Sequence, residues 1–386
     1  MTLSRAPSGA PFLGRWQAGL ALAAALAVVL TAACSSAPAR PDPAPLEPIA
    51  KPGPGRQVWS ANLGVPVQDV GTQAAGSTLV LATQDGTVVA LDTASGAERW
   101  RLALDARISA GAGTDGRYAA VVTLANELVV LDQGKLLWRK RINSRVTTAP
   151  LVAGERVFVQ GLDRVVQAFD VLDGRLLWTQ QRPGENLALT QAGVLLPFKD
   201  TLLVGFGARL TGLDPTTGEQ RFDVALASPR GTNEVERLAD LVSPAARVGD
   251  IVCARAFQSA VSCADAARGT VAWTRPLGGT HGIAADEQVV VAADASDRIS
   301  AWRLGTGELL WTSERLRYRQ LSAPVLLGGT IAIVDNDGLV HFLARDTGEP
   351  SQRLPTTDSP AAATVRVGNT LVVVSRAGRV FGFRLE

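Results

Sequence analysis

Leu79–Trp100 reads LVLATQDGTVVALDTASGAERW, and this stretch decides the fold. It contains a β-rich run, an Ala-Leu-Asp step, a Gly turn and a closing Trp. The pattern returns about every 40 residues, a period that in a strand-rich chain is typical of a β-propeller. The closing aromatic residues of the further copies are Trp138, Trp178, Phe222, Trp273 and Trp311, with an opening fragment that ends at Trp59 and a weaker copy that ends near Gln352.

The number of blades follows from the closing positions. There are eight of them, and the last copy, Leu371–Phe383, is followed by the end of the chain and lacks an outer strand. The fragment that ends at Trp59 has no earlier strands of its own, so each piece supplies what the other lacks. The sequence therefore predicts an all-β fold, an eight-bladed β-propeller of four-stranded antiparallel blades closed by the N-terminal strand. Seven blades are the alternative.

The Asp, Gly and Trp residues that recur in the repeat have structural roles in this interpretation. Identical positions in successive blades cannot converge on one site, so we expect the repeated Asp residues to cap turns, the Gly residues to accept positive φ and the Trp rings to pack between blades. The Asp residues are Asp92, Asp132, Asp170, Asp214 and Asp265, and the Gly residues are Gly96, Gly134, Gly174, Gly218, Gly269, Gly307 and Gly348.

The N-terminus has the pattern of a secretory signal. Arg5 and Arg15 precede an apolar run over residues 18–30, and small residues precede Cys34. The segment resembles a bacterial lipobox, which implies that residues 1–33 are a lipoprotein signal peptide and that Cys34 is the acylated anchor. Ordinary cleavage near Ala33 is the alternative.

A Pro-rich segment separates this anchor from the repeats. Residues 34–55 are predicted to be an extended linker with a reach of at most roughly 60 Å, and residues 56–386 to be the propeller. Ser35, in place of Asp, implies sorting to the outer membrane in the lipoprotein family.

Composition and motifs argue against two functional classes. The formal net charge is +2, and no basic block of the kind that nucleic-acid binding requires is present. The sequence has only His281 and His341, without metal-ligand spacing, and no nucleophile or phosphate-loop motif. Asp335–Gly338 resembles the start of a calcium loop, but Ala344 stands where an acid is expected, so we interpret it as a hairpin turn. We therefore predict no catalytic residue, no metal and no cofactor.

Two connections between blades are longer than the others. They are Thr179–Lys199 and Asp223–Asp250, on either side of blade 4. Insertions on one rim of a repeat scaffold commonly form its binding face, so we expect this rim to bind a partner. Tolerated surface loops are the alternative.

Cys253 and Cys263 fall on neighbouring strands of blade 5. A disulfide between them is open at this stage, because a two-residue turn would place them on opposite faces of the blade.

The repeat Leu-Asp-x-x-x-Gly-x-x-x-Trp, the start at Cys34 and the segment Gly231–Asp240 together resemble the BamB (YfgL) family of outer-membrane protein assembly factors. The resemblance implies a non-catalytic scaffold of the β-barrel assembly machinery in the outer membrane, facing the periplasm. Its implied partners are the POTRA domains of BamA, outer-membrane lipid through acylated Cys34, and nascent outer-membrane proteins. Its partner-binding positions match Leu187, Leu189, Thr190 (Arg in the family), Arg237, Leu238 and Asp240.

Two other functions compete with this interpretation. A quinone-dependent dehydrogenase shares the repeat, but it would need an aromatic-lined central pocket, a calcium site and usually adjacent cysteines, which the sequence does not contain. A scaffold lipoprotein with another partner is the third hypothesis.

Overall fold

The computed structural model describes residues 1–2, 41–49, 53, 55–67, 73–182, 188–228, 231–233, 237–356 and 359–385. Cys34, Leu187 and nearly all of the predicted signal peptide lie outside these ranges. Every regular element of the described residues is a β-strand. No helix in these ranges is long and apolar enough to cross a membrane.

Eight four-stranded antiparallel sheets form the eight blades of a propeller, which confirms the predicted fold. Blade 1 contains β2 (Gln73–Ala75), β3 (Thr78–Ala82), β4 (Thr87–Asp92) and β5 (Glu98–Ala103); blade 2, β6 (Ile108–Thr114), β7 (Tyr118–Thr123), β8 (Glu127–Asp132) and β9 (Lys135–Arg141); blade 3, β10 (Leu151–Ala153), β11 (Arg156–Gln160), β12 (Val165–Asp170) and β13 (Leu176–Gln181); blade 4, β14 (Leu195–Phe198), β15 (Thr201–Phe206), β16 (Arg209–Leu213) and β17 (Gln220–Ala225). Blade 5 contains β18 (Leu241–Val248), β19 (Ile251–Ala256), β20 (Ala260–Asp265) and β21 (Thr270–Pro276); blade 6, β22 (Ala284–Ala285), β23 (Val289–Ala293), β24 (Ile299–Arg303) and β25 (Leu309–Ser313); blade 7, β26 (Val325–Leu327), β27 (Thr330–Val334), β28 (Leu339–Ala344) and β29 (Pro350–Pro355); blade 8, β30 (Ala361–Val367), β31 (Thr370–Ser375), β32 (Arg379–Leu385) and β1 (Gly55–Asn62).

The hydrophobic core is divided among the junctions between blades. The second and third strands of each blade are apolar on both faces because a neighbouring blade covers each face, and β3 is buried along its whole length. The outer strands are largely exposed; in β9 only Trp138 is buried. Among the described residues, one buried apolar cluster lies at each junction, so blade-to-blade packing stabilises the ring.

Four of the five repeated Asp residues cap the turn before the outer strand, as predicted. Asp92, for example, accepts hydrogen bonds from the backbone N–H groups of Ala94 and Ser95, both at 3.0 Å. Asp132 is the exception, because its turn is shorter and its carboxylate instead pairs with Arg117 at 2.9 Å. The capping carboxylates of the other blades are those of Asp170, Asp214 and Asp265.

The closing aromatic residues pack between blades, which confirms the prediction made for the Trp rings. Each ring lies against the turn glycine of the next blade; a Cβ on Gly174 would lie 2.7 Å from the Trp138 ring. The indole Nε1 of Trp138 also donates to the backbone oxygen of Val171 at 2.8 Å. Equivalent indole bonds join Trp59 to Thr93, Trp178 to Pro215, Trp273 to Leu304 and Trp311 to Arg345.

The two ends of the propeller chain meet in blade 8. β1 pairs with β32 in antiparallel register from Gly55 opposite Leu385 to Asn62 opposite Arg379. This is the predicted closure by the N-terminal strand. The compact unit that contains the ring begins at Pro43.

Cys253 and Cys263 form a disulfide in the structure. The turn between β19 and β20 has three residues, since Ala256 pairs with Ala260, and this register sets the two cysteines directly opposite each other. Both are fully buried at the junction of blades 5 and 6, so the disulfide is part of the core.

Candidate functional site

The two long connections come together on one rim of the ring, beside blade 4. The first runs from the end of β13 to β14, and the second from the end of β17 to β18. Residues 183–187, 229–230 and 234–236 of these connections lie outside the described residues. We call the described parts, residues 188–194 and 237–240, the rim site.

An ion-pair cluster joins the roots of the two connections. Arg182, at the start of the first connection, pairs with Asp223 on β17, the strand that leads into the second connection, and also donates to the Thr211 hydroxyl at 2.6 Å. Arg209 donates to the same carboxylate at 2.7 Å. Burial raises the pKa of Asp223, but the hydrogen bonds from Arg182, Thr211 and Arg209 outweigh it and hold this pKa below its ordinary value.

Asp240 forms the second link between the connections. Its Oδ2 accepts the backbone N–H of Leu189 at 2.7 Å, and its Oδ1 lies 3.7 Å from Nη2 of Arg164 on the turn after β11. The backbone oxygen of Asp240 accepts from Phe257 at 2.9 Å. Asp240 therefore positions the first connection against blades 3 and 5.

The remaining predicted residues surround this link. Leu189 is half-buried and lines a 40 Å³ cavity beside Asp240, whereas Thr190 is exposed. Arg237 and Leu238 are half-buried. Leu238 lines a groove of 570 Å³ at the junction of blades 4 and 5, and its apolar walls include Leu226, Phe257 and Pro276.

The rim site thus brings together Leu189, Thr190, Arg237, Leu238 and Asp240, five of the six predicted partner-binding residues. The sixth, Leu187, lies outside the described residues. Nothing in the sequence indicated Arg164, Arg182 or Arg209, because these residues are separated along the chain from the carboxylates that they contact in the fold.

Other chemistry-bearing residues have structural partners. Asp335 accepts from the backbone N–H groups of Asp337 and Leu339, so Asp335–Gly338 is the hairpin turn between β27 and β28. Its buried carboxylate also contacts Arg319 at 3.1 Å and Nε2 of His341 at 2.8 Å. Burial raises the pKa of Asp335, but these contacts hold it below its ordinary value. The described residues contain no group of three or more His, Cys, Asp or Glu placed to hold a metal ion.

The fold defines the class of protein: an eight-bladed β-propeller whose repeats build the ring and whose two long connections lie on either side of blade 4. Family comparison narrows this class. The family model described as "Outer membrane protein assembly factor BamB" matches residues 50–110, 84–313 and 280–386. The chain belongs to the BamB family of outer membrane protein assembly factors, which are non-catalytic members of the Bam complex.

Individual relatives agree with this assignment. The chain is 36% identical to the BamB of Burkholderia pseudomallei over 96% of this chain and 99% of the relative. It is 33% identical to the BamB of Bordetella pertussis over 94% of this chain and 97% of the relative.

Solved structures show the same architecture. The BamB of Moraxella catarrhalis superposes with a TM-score of 0.78 at 23% identity, covering 86% of this chain and all of that one. The quinohemoprotein alcohol dehydrogenase of Comamonas testosteroni superposes with a TM-score of 0.65 at 13% identity, covering 86% of this chain and 76% of that one. At this identity the dehydrogenase shares the propeller fold alone.

Proposed function

We propose that the rim site binds the periplasmic POTRA domains of BamA and thereby assists the folding and insertion of outer-membrane β-barrel proteins. The observation that carries this proposal is the bond from the Leu189 amide to Asp240, which joins the two long connections, supported by the pairing of Arg182 at the start of the first connection with Asp223 on β17.

The chemistry of the rim site suits a small protein interface. Leu189 and Leu238 supply partly exposed apolar groups, and the groove beside Leu238 can receive an apolar side chain of the partner. Thr190 and Arg237 supply a polar periphery. Apolar anchors within a polar rim are the usual anatomy of such interfaces.

Asp240 has a different role in this proposal from that of a contact residue. Its carboxylate is engaged by the Leu189 amide and by Arg164, so it presents Leu189 to the partner. Loss of Asp240 would weaken binding through displacement of the first connection.

Co-purification with BamA tests the proposal. Leu189→Ala and Leu238→Ala are each expected to weaken the complex about 5- to 30-fold, the effect of removing an interface anchor worth about 1–2 kcal/mol. Leu172→Ala is the matched control, because Leu172 is 61% exposed on a turn at the opposite face of blade 3. Undiminished recovery of BamA with both rim variants, or an equal loss with Leu172→Ala, would refute this site.

We further propose that Cys34 is acylated and anchors the protein in the outer membrane, facing the periplasm. Several acyl chains hold a protein firmly, because each buried CH₂ contributes about 0.8 kcal/mol. Mass spectrometry of the mature N-terminus and fractionation of Cys34→Ser test this anchor. An unmodified Cys34, or a Cys34→Ser protein that stays in the outer-membrane fraction, would contradict it.

A further inference from the structure

One closing position differs from the other seven. Blades 1 to 6 and blade 8 close with an aromatic ring, but blade 7 closes with Gln352, which is 7% exposed. In the other blades the ring lies on the turn glycine of the next blade, four residues before that blade's own closing residue. Gly55 likewise stands four residues before Trp59, the closing residue of blade 8. Gln352 packs against Gly55 and so faces the position that the turn glycine occupies in the other blades.

The backbone is interrupted at this point and nowhere else in the ring. In blades 1 to 7 one turn joins the third strand to the outer strand. In blades 1 and 3 to 7 the glycine N–H of this turn donates within the turn, as Gly348 does to the oxygen of Ala344 at 2.8 Å. In blade 8 the third strand, β32, ends the chain and the outer strand, β1, begins the ring. The amide of Gly55 therefore has no turn carbonyl of its own to donate to.

The side chain of Gln352 supplies hydrogen-bond partners for the backbone of Gly55 in place of the missing turn. Its Oε1 accepts the N–H of Gly55 at 2.7 Å, and its Nε2 donates to the oxygen of Gly55 at 2.6 Å. Both bonds are buried, and an unpaired buried backbone group is costly. An indole has one donor and no acceptor, so a Trp at position 352 could not satisfy both groups.

The chain that precedes Gly55 makes further contacts with blade 7 and extends them to blade 6. The N–H of Ala44 donates to the oxygen of Arg317, in the connection between blades 6 and 7, at 2.9 Å. Leu46 packs against the apolar cluster of the same junction. We call residues 44–49 the strap.

Charged groups also hold the strap. Arg315 pairs with Glu47 of the strap and, at 2.9 Å, with Glu349 on the turn before β29 of blade 7. Arg353, beside Gln352 on β29, donates to the backbone oxygen of Glu47 at 3.4 Å. The strap therefore contacts the two blades that precede the junction closed by β1.

We propose that Gln352 and the strap form a closure latch, which fastens the start of β1 to blades 7 and 6 in addition to its pairing with β32. Gln352 replaces the aromatic residue because this junction is the one where the two ends of the ring meet. Residues 44–49 belong to the predicted linker, and this part of it contacts the ring.

Hydrogen exchange of the full-length protein tests the role of Gln352. Gln352→Met keeps the size of the side chain but removes both bonds, and Gln352→Trp restores the residue of the other blades. Both are expected to speed amide exchange in β1 and β32 roughly tenfold or more, while β11 and β12 of blade 3 stay unchanged. Gln288→Ala, an exposed glutamine in blade 6, is the control and should change neither region.

The two variants separate a latch from ordinary packing. If Gln352→Trp protects β1 as well as Gln352 does, or if Gln352→Met leaves exchange in β1 unchanged, the latch is refuted.

The strap has its own test in the same experiment. The Ala44 amide is expected to be protected in the wild-type protein and to exchange at least several-fold faster in Glu47→Ala and Leu46→Ala. Glu287→Ala, an exposed acid in blade 6, should leave it unchanged. An unprotected Ala44 amide in the wild-type protein would refute the docked strap.

Discussion

Replacement of Asp240 by Ala tests how the rim site is held together. The substitution removes the acceptor of the Leu189 amide at 2.7 Å and the partner of Arg164 at 3.7 Å. A hydrogen bond to a charged group contributes about 1.5–3 kcal/mol, and an ion pair of this length and exposure adds at most about 1 kcal/mol. We therefore expect the first connection to open more easily by about 2 kcal/mol, a factor of roughly 30 in its opening equilibrium.

Hydrogen exchange at the Leu189 amide measures this opening. The exchange rate should rise roughly 30-fold in Asp240→Ala, with little change in the melting temperature, because the blade cores do not include the Asp240 side chain. Glu219→Ala is the control, since Glu219 is an exposed carboxylate on a turn of the same blade 4. Unchanged exchange at Leu189, or an equal change in Glu219→Ala, would refute the positioning role of Asp240.

Three further predictions concern the ring. Trp178→Phe keeps a ring against Gly218 but loses the 3.0 Å bond to the Pro215 oxygen, so the denaturant midpoint should fall by the equivalent of about 1 kcal/mol; an unchanged midpoint would show that this bond is dispensable. The double variant Cys253→Ala/Cys263→Ala removes a disulfide with a sequence separation of 10, and urea unfolding under non-reducing conditions should show a loss of about 2–3 kcal/mol, whereas equal stability would argue that the bridge does not constrain the unfolded chain. The Asp92 carboxylate, whose pKa Arg99 lowers to about 2, contributes stability that is complete above its unfolded pKa near 4 and is lost as the pH falls through 2; Asp92→Asn should flatten the thermal stability profile between these pH values, and an identical profile would contradict this contribution.

The propeller fold could be predicted from the sequence because the residues that form each blade lie close together in the chain. Most copies contain a turn Asp, a turn Gly and a closing aromatic residue, and all three act within a blade or on the next one. The period also located the rim site, since insertions show as stretched intervals before Phe222 and Trp273.

What the sequence could not indicate are contacts between distant positions. Arg182 and Asp223 are 41 residues apart, and only the circular arrangement of the blades makes them partners. The contacts of the strap could not be predicted for the same reason. Its Pro-rich composition is typical of a linker, and Glu47 pairs with Arg315, which is 268 residues away in the sequence. In the sequence, Gln352 is the closing residue of a weaker copy of the repeat. That it lies beside Gly55, where no turn precedes the outer strand, follows only from the folded ring.

The chemistry of the closing residues has a consequence for circular permutation. An aromatic residue packs on a continuous turn at the other junctions, and Gln352 packs on Gly55 at the junction where the two ends of the ring meet. The closing residue of a blade should therefore match whether the next blade has a continuous turn or a chain break. A permuted gene that opened the ring before Gly218 and connected residue 385 to Gly55 through a turn would then need Gln at 178 and Trp at 352. The order of blades would stay the same, and only the residue that marks the break would move.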